Sequence, residues 1–356
     1  MAKRKAQAKQ AALEPAGADP HLGGINKRHR ARTVAISGSS SFLGRNLIGL
    51  LEEDPRIGRI VALDVRPPAT AGAKTHYYEV DFTQPTSEAR MAEIFSAERV
   101  HTMVHLAFLS LPTHATAWAH EFESVGTMHL LNAARQGGVT KLVHWSQSVL
   151  YGARPSNPNF LTEQRDLRAP KAAQFFQDKI DAEAEAQRFG ERKGTVVTVL
   201  RTAPILGPTV RNYVTRFLGH RLVPVLMGFD PLWQFVHEVD AVAAFKLAVD
   251  RDIPGTFNIV SQGVLPLSTV VRLAGRLALP IPHPVAIPLA GALWAAQLIE
   301  TPPGFVDYLR YLCVADGARA ERELGFRASY SSRDAVLDFA TAQHLRDVRL
   351  LDEPAV

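Results

Sequence analysis

Residues 33–51, "TVAISGSSSFLGRNLIGLL", decide how the rest of the chain is read. A short β-branched run (33–37) meets a polar, glycine-bearing loop, which opens into a helix-like run of Leu and Ile at three- and four-residue spacing. Strand, glycine loop and helix in that order form the setting in which backbone amides at a helix N-terminus cradle a phosphate. Gly38 suits a tight turn and Gly44 a close approach of helix to strand. Ser41 stands where a glycine normally lets the chain approach a pyrophosphate. Its extra Cβ weakens such a site more than it abolishes it, and its hydroxyl can donate to phosphate. Phe42 and Leu43 open the helix with amides that have no helical partner.

Twenty residues after Gly44, Asp64 closes the second β-branched run. An acid there accepts hydrogen bonds from ribose hydroxyls and repels a 2′-phosphate, which favours NAD over NADP. Arg66, two residues on, softens that preference. The alternative is an aspartate that merely ends a strand at the surface.

Working outward, β-branched runs at 33–37, 59–65, 76–82, 102–108, 141–148 and 195–202 alternate with helix-like stretches near 42–53, 87–98, 118–137 and 171–190. That rhythm predicts βαβ units, and near-continuous apolar strands predict a sheet covered on both faces. The expected fold is α/β, a Rossmann-type doubly wound parallel sheet over 33–205. Past 203 Pro and Gly break the rhythm, predicting a smaller C-terminal substrate domain over 206–345, with "FNIV" (257–260) returning to the sheet. Residues 346–356 read as a C-terminal tail.

The formal net charge of +5 is placed unevenly. Residues 1–32 hold eight Lys or Arg against Glu14 and Asp19, so the basic character belongs to a tail expected to be disordered. Such an arm is either a solvated extension or a contact to nucleic acid or an anionic membrane surface. It has no apolar core of a secretory signal. The single cysteine, Cys313, excludes an intrachain disulfide and suits a cytoplasmic protein. Residues 285–299, "VAIPLAGALWAAQLI", are apolar but interrupted by Pro288 and shorter than the roughly 20 residues a spanning helix needs. A buried core helix is expected there, an interfacial helix or substrate lid being the alternative.

Several stretches together resemble the extended short-chain dehydrogenase/reductases, the NAD-dependent epimerase/dehydratase family. "SGSSSFLG" (37–44) is similar to that family's TGxxGxxG, and "VHLAF" (104–108) to its VHLAA strand end. "HLLNAARQGGVTKLVHWSQSVLYG" (129–152) resembles NLLEAARAAGVKRLVYTSSVAVYG nearly throughout, and "VTVLRTAPILGP" (197–208) resembles VTVLRPANVYGP. The resemblance covers about 33–340 and leaves the tail outside. It implies bound NAD contacting Asp81 and Phe82 at the adenine and Leu106, Ala107 and Phe108 beneath the cofactor. It also implies a small-molecule substrate, most often a nucleotide sugar, and a homodimer.

The same resemblance locates the reaction centre, where the chain departs from the pattern. The family's YxxxK places its lysine at Lys179, but its proton-exchanging tyrosine falls on Phe175. No lysine in the chain has a tyrosine four residues before it. The hydroxyl residue ending the fifth strand falls on Gln147, and the family's asparagine in NVxGT falls on Glu123. Ser146 and Ser148 flank Gln147, yet strand neighbours point to opposite faces. Glu123 is either a relocated acid–base beside Lys179 or a structural partner to it. Tyr151, His144, His114 and His120 are the other titratable groups in segments that end near the same place. The histidine spacings fit no metal site.

Two functions stay open on this reading. One is an NAD-dependent oxidoreductase or epimerase with a non-standard proton donor, acting on a nucleotide sugar held by Arg211, Arg216 and Arg221 or on an apolar hydroxy or keto compound suited to 279–299. The other is a non-catalytic dinucleotide-binding sensor or scaffold.

Overall fold

In the computed structural model, which describes residues 32–191 and 194–352, the glycine loop lies at the centre of a seven-stranded, wholly parallel sheet. The strand before it, β1 (Arg32–Ser37), pairs on one side with β2 (Ile57–Asp64), beyond which lies β3 (Thr75–Glu79). On its other side come β4 (Thr102–His105), β5 (Lys141–Gln147), β6 (Val196–Thr202) and the returning strand Gly255–Ile259. The order reverses between β1 and β4. The crevice this reversal leaves at the carboxyl ends of the strands is where doubly wound sheets hold ligands. The basic tail expected at 1–32 lies outside the described residues except for Arg32, which begins β1.

Both faces of the sheet are covered, as its apolar strands require. On one face Leu47, Ile48 and Leu51 of α1 (Phe42–Glu52) and Ala241, Phe245 and Ala248 of the helix Glu238–Asp250 share a core with Val34, Ile36 and Val104. On the other, Met91 and Phe95 of α2 (Ser87–Ala97), Leu130 and Ala134 of α4 (Gly126–Gln136) and Phe189 of α5 (Gln174–Gly190) pack on Ala35, Val61 and Leu142. Between β4 and α4 the chain forms α3 (Thr116–His120) and one π-helical turn, Glu121–Val125. Single π turns within a helix recur at functional sites, and this one carries Glu123.

Beyond residue 205 the chain adds short strand pairs and helices, among them Leu222–Leu226 paired in parallel with Leu277–Ile281. These elements pack with the sheet into one compact unit. The last helix, Ser332–Asp352, runs past residue 346, so that point is not the start of an irregular tail. The segment expected to be a buried core helix is not one. His283–Ala295 is helical, with Pro288 inside it, yet only Ala286 of the helix is buried. No helix among the described residues is long and apolar enough to cross a membrane.

Candidate active site

The glycine loop keeps the backbone that its sequence demands. Gly38 has φ +66°, and a Cβ there would sit 2.7 Å from the backbone of Leu106. A Cβ on Gly44 would meet the Gly38 carbonyl oxygen at 2.3 Å, so α1 can lie this close to the loop only with glycine at its third residue. Ser41 is the N-cap of α1, its Oγ accepting from the Gly44 amide at 3.1 Å. The hydroxyl proton stays free to be donated. Asp64 reaches back to the loop, where Oδ2 accepts from both the amide and the hydroxyl of Ser40 at 2.9 Å, while Oδ1 accepts from the Val65 amide. A carboxylate beside free first-turn amides is an arrangement suited to a ribose next to a pyrophosphate.

The remaining positions tied to cofactor binding sort into surface and core. Arg66 is exposed beside Asp64. Asp81 accepts from the Thr83 amide and hydroxyl at 3.0 and 2.7 Å, which fixes the turn after β3. Phe82 is buried, edge-on to Phe122, while Leu106 and Ala107 are core residues under the loop. Phe108 is the one that reaches the crevice. There a cleft of about 130 Å³ is lined by Ser41, Phe42, Leu43, Phe108, Trp145 and Gln147, and closed by residues of the 202–213 segment.

Strand alternation decides which side chains of β5 face this cleft. Trp145 and Gln147 do, and the Gln147 Oε1 is buried without a partner. Ser146 points the other way and donates to Glu183 at 2.5 Å. Glu183 is gripped in turn by Arg201, which also donates to the Tyr151 hydroxyl at 2.9 Å. Tyr151 donates to Asn258 at 2.8 Å. This buried network ties β5, α5, β6 and the returning strand together, and Tyr151 lines neither the cleft nor the larger cavity beside it.

Lys179 and Glu123 form a buried pair 2.5 Å apart, 3% and 0% exposed. Glu123 Oε1 also accepts from the Leu109 amide, and its Oε2 has no partner. Burial raises the carboxyl pKa of Glu123 and lowers that of the Lys179 ammonium, each opposed by the charge of the other. The ammonium also lies 4.0 Å from the Phe175 ring centroid and 5.6 Å from that of Phe108. Glu123, Phe175 and Lys179 therefore lie together, but aromatic rings cover the pair, and none of the three lines the cleft or the cavity. The other candidate groups are occupied elsewhere. His120 is paired with Asp178 at 2.7 Å, His114 stacks on Trp294, and His144 is fully buried against Phe108 and His105. Among the described residues no group of three His, Cys, Asp or Glu forms a metal site.

A tyrosine that the sequence did not single out packs beside Phe175. Tyr213 lines both the cleft and a neighbouring cavity of about 600 Å³. Asn212 caps its helix (Tyr213–Gly219) by accepting from the amides of Val214 and Thr215, and the Tyr213 amide donates to Ser110. Its ring packs edge-on to Phe175 and Phe305, centroids 5.9 and 5.4 Å away. Burial raises its phenol pKa, so it is protonated at neutral pH. The Asn-Tyr-Val-Thr capping pattern signals only where this helix starts, not the place of Tyr213 between the two cavities.

The large cavity is walled by Leu111, Phe176, Val225, Leu226, Ile281, Leu289, Leu293 and Phe305, with few polar groups. The three arginines expected to clamp a diphosphate do not converge. Arg211 borders the cleft, Arg216 borders the cavity but is ion-paired with Glu300, and Arg221 lines neither.

Comparison with known proteins follows this geometry. The chain is 29% identical over 332 residues to the uncharacterized protein Rv0501 of Mycobacterium tuberculosis, covering 89% of this chain and 85% of that one. It is 27% identical over 271 residues to the 3-diazoavenalumate denitrifying reductase of a Streptomyces species, covering 73% and 86%. In fold it is similar to the dTDP-glucose 4,6-dehydratase DesIV of Streptomyces venezuelae, solved with NAD and TYD bound. That match has a TM-score of 0.69 at 18% identity and covers 90% of this chain and 99% of that one. Residues 34–260 match the model of the NAD dependent epimerase/dehydratase family, and the chain belongs to that family.

Proposed function

We propose that this chain binds NAD at residues 38–44 and acts as an oxidoreductase or epimerase-type enzyme on an apolar hydroxy or keto compound, with Tyr213 as its proton donor. The observation that carries this reading is the junction at Tyr213, the one titratable side chain shared by the glycine-loop cleft and the apolar cavity among the described residues. The residues present fit the dinucleotide. Gly38 and Gly44 stand where a Cβ would collide with neighbouring backbone, which keeps the loop tight against α1. Ser41, Phe42 and Leu43 at the start of α1 border the crevice, and Asp64 stands beside the loop. The Ser39 hydroxyl is buried in the loop without a partner. In this reading the 130 Å³ cleft holds the nicotinamide end, and the adenosine end lies along the strand ends toward Asp64 and Asp81. Bound NAD supplies hydride exchange at a carbon bearing oxygen. Tyr213 would then donate the proton to that oxygen as the carbonyl is reduced, a role that needs a protonated phenol within reach.

An apolar substrate is favoured over a nucleotide sugar because Arg216 is the only Lys or Arg among the described residues that line the large cavity, and it is already paired with Glu300. A diphosphate needs unpaired cations. A second reading, a non-catalytic NAD sensor, draws support from the covering of Lys179 by Phe175 and Phe108. Calorimetric titration with NAD separates binding from its absence, and Asp64→Ala should weaken it. Loss of turnover in Tyr213→Phe with NAD binding intact supports the enzyme reading. Absence of any NAD-linked turnover across apolar alcohols and ketones supports the sensor. A homodimer belongs to the same proposal and is checked by sedimentation.

A further inference from the structure

Residues 277–299, "LALPIPHPVAIPLAGALWAAQLI", contain no charged side chain, yet the chain displays them at its surface. The strand Leu277–Ile281 is exposed over four of its five residues, and the helix His283–Ala295 is apolar all round. A helix with no polar face is normally enclosed by protein or lipid. Here one side of it, through Ala286, Leu289, Ala290 and Leu293, walls the large cavity. The other side faces outward. Val285 (51% exposed) and Ile287 (45%) line neither the cleft nor the large cavity. Leu277, Leu222 and Met227 extend the same apolar surface along the strand pair.

The cavity reaches the surface within this patch. Leu232, Leu279, Leu289 and Leu298 line the cavity and are also exposed, Leu298 at 71%. An apolar chamber whose rim is leucine, set in an apolar surface, is the geometry expected when the ligand arrives from a hydrocarbon phase. Cations border one end of the patch. Arg221 precedes exposed Leu222 and Arg276 precedes exposed Leu277, the two leucines being register partners, and exposed Arg272 lies one turn earlier. Of the acids in these segments, Glu300 is paired with Arg216, Asp230 accepts from Ser268, and Asp307 lies near Arg310 and Arg154. Basic residues flanking an apolar surface match the anionic headgroups and acyl boundary of a bilayer.

We propose that residues 277–299 dock on an anionic lipid surface and open the apolar cavity into it, so that a lipophilic substrate enters from the bilayer rather than from water. This deepens the proposed function by naming the source of the substrate, and rests on that reading only for the use of the cavity. Docking itself does not depend on NAD or on turnover.

The test is co-sedimentation of the full chain with phosphatidylserine–phosphatidylcholine vesicles and with phosphatidylcholine alone, at physiological salt. Binding to the anionic vesicles is expected, and Val285→Asp/Ile287→Asp should weaken it about tenfold or more, since each inserted side chain contributes through its buried apolar area. Arg221→Gln/Arg272→Gln should weaken it less. A melting temperature near that of the wild type verifies that the variants fold. As a second measurement, Leu298→Cys/Cys313→Ala carries a polarity-sensitive dye, the only native cysteine being removed because it lines the cavity. A blue shift on adding vesicles supports insertion. Vesicle binding that survives both Asp substitutions without a blue shift would assign lipid contact to the basic N-terminal segment and overturn the proposal. Concentration-dependent self-association abolished by the same substitutions, with no vesicle binding, would overturn it in favour of a second copy of the chain.

Discussion

The Lys179 ammonium lies 4.0 Å from the centroid of the Phe175 ring and is held there by its 2.5 Å bond to Glu123. A phenyl ring thus stands where the family resemblance places a proton-exchanging phenol, and it covers the cation that would tune that phenol. Attraction between the ammonium and the ring face offsets part of the cost of burying the charge.

Phe175→Tyr adds one hydroxyl to a packed aromatic cluster of Phe176, Tyr213 and Phe305. A stability loss of about 1–3 kcal/mol is expected from overpacking. NAD affinity should not change. If the site is otherwise that of the family, the variant gains NAD-linked turnover on an alcohol the wild type ignores, which a coupled absorbance assay would register.

Glu123→Gln leaves Lys179 buried without its counter-charge, at a cost of about 3–5 kcal/mol. Replacing both, as Glu123→Gln/Lys179→Met, should cost clearly less than the sum of the single changes. Denaturant titrations of the three variants measure the coupling, and strict additivity would mean that the pair does not interact as described.

Tyr213→Phe removes only the hydroxyl from a ring fixed by Phe175 and Phe305. The expected result is a loss of about 10²-fold or more in kcat with KM and NAD affinity nearly unchanged, as for other positioned proton donors. An unchanged kcat would remove Tyr213 from the chemistry.

His144 gives the fold an acid limit. Burial lowers its pKa to about 4, and both ring nitrogens lack partners. The unfolded chain therefore binds a proton near pH 6.5 that the folded chain refuses until about pH 4. Stability is full above the upper value and falls by about 3 kcal/mol across that window. His120 acts in the opposite sense, because its bond to Asp178 raises its pKa. Its contribution is present below pH 6.5 and lost as pH rises through the raised value. Melting temperatures from pH 4 to 8 should show both effects, with the acid limb flattened in His144→Leu.

Much of this site was legible in the sequence because backbone geometry dictates residue type. Gly38 and Gly44 sit where a Cβ would collide with backbone, and the period of two along β5 correctly separates Gln147 from Ser146. What escaped was set by tertiary packing. Nothing local marks Tyr213 as the residue shared by two cavities, or commits Arg216 to Glu300 across the cavity rim. The exposure of 285–299 reverses the ordinary inference from apolar sequence to buried core, since composition reports that a surface needs covering and not what covers it.

A crystal structure of the chain with NAD tests the central claim most directly. The expected density places the pyrophosphate on residues 38–44, the adenosine ribose on Asp64, and the nicotinamide between Gln147 and Tyr213, facing the apolar cavity. NAD absent from the loop at saturating concentration, or bound with its nicotinamide turned away from Tyr213, would contradict the account.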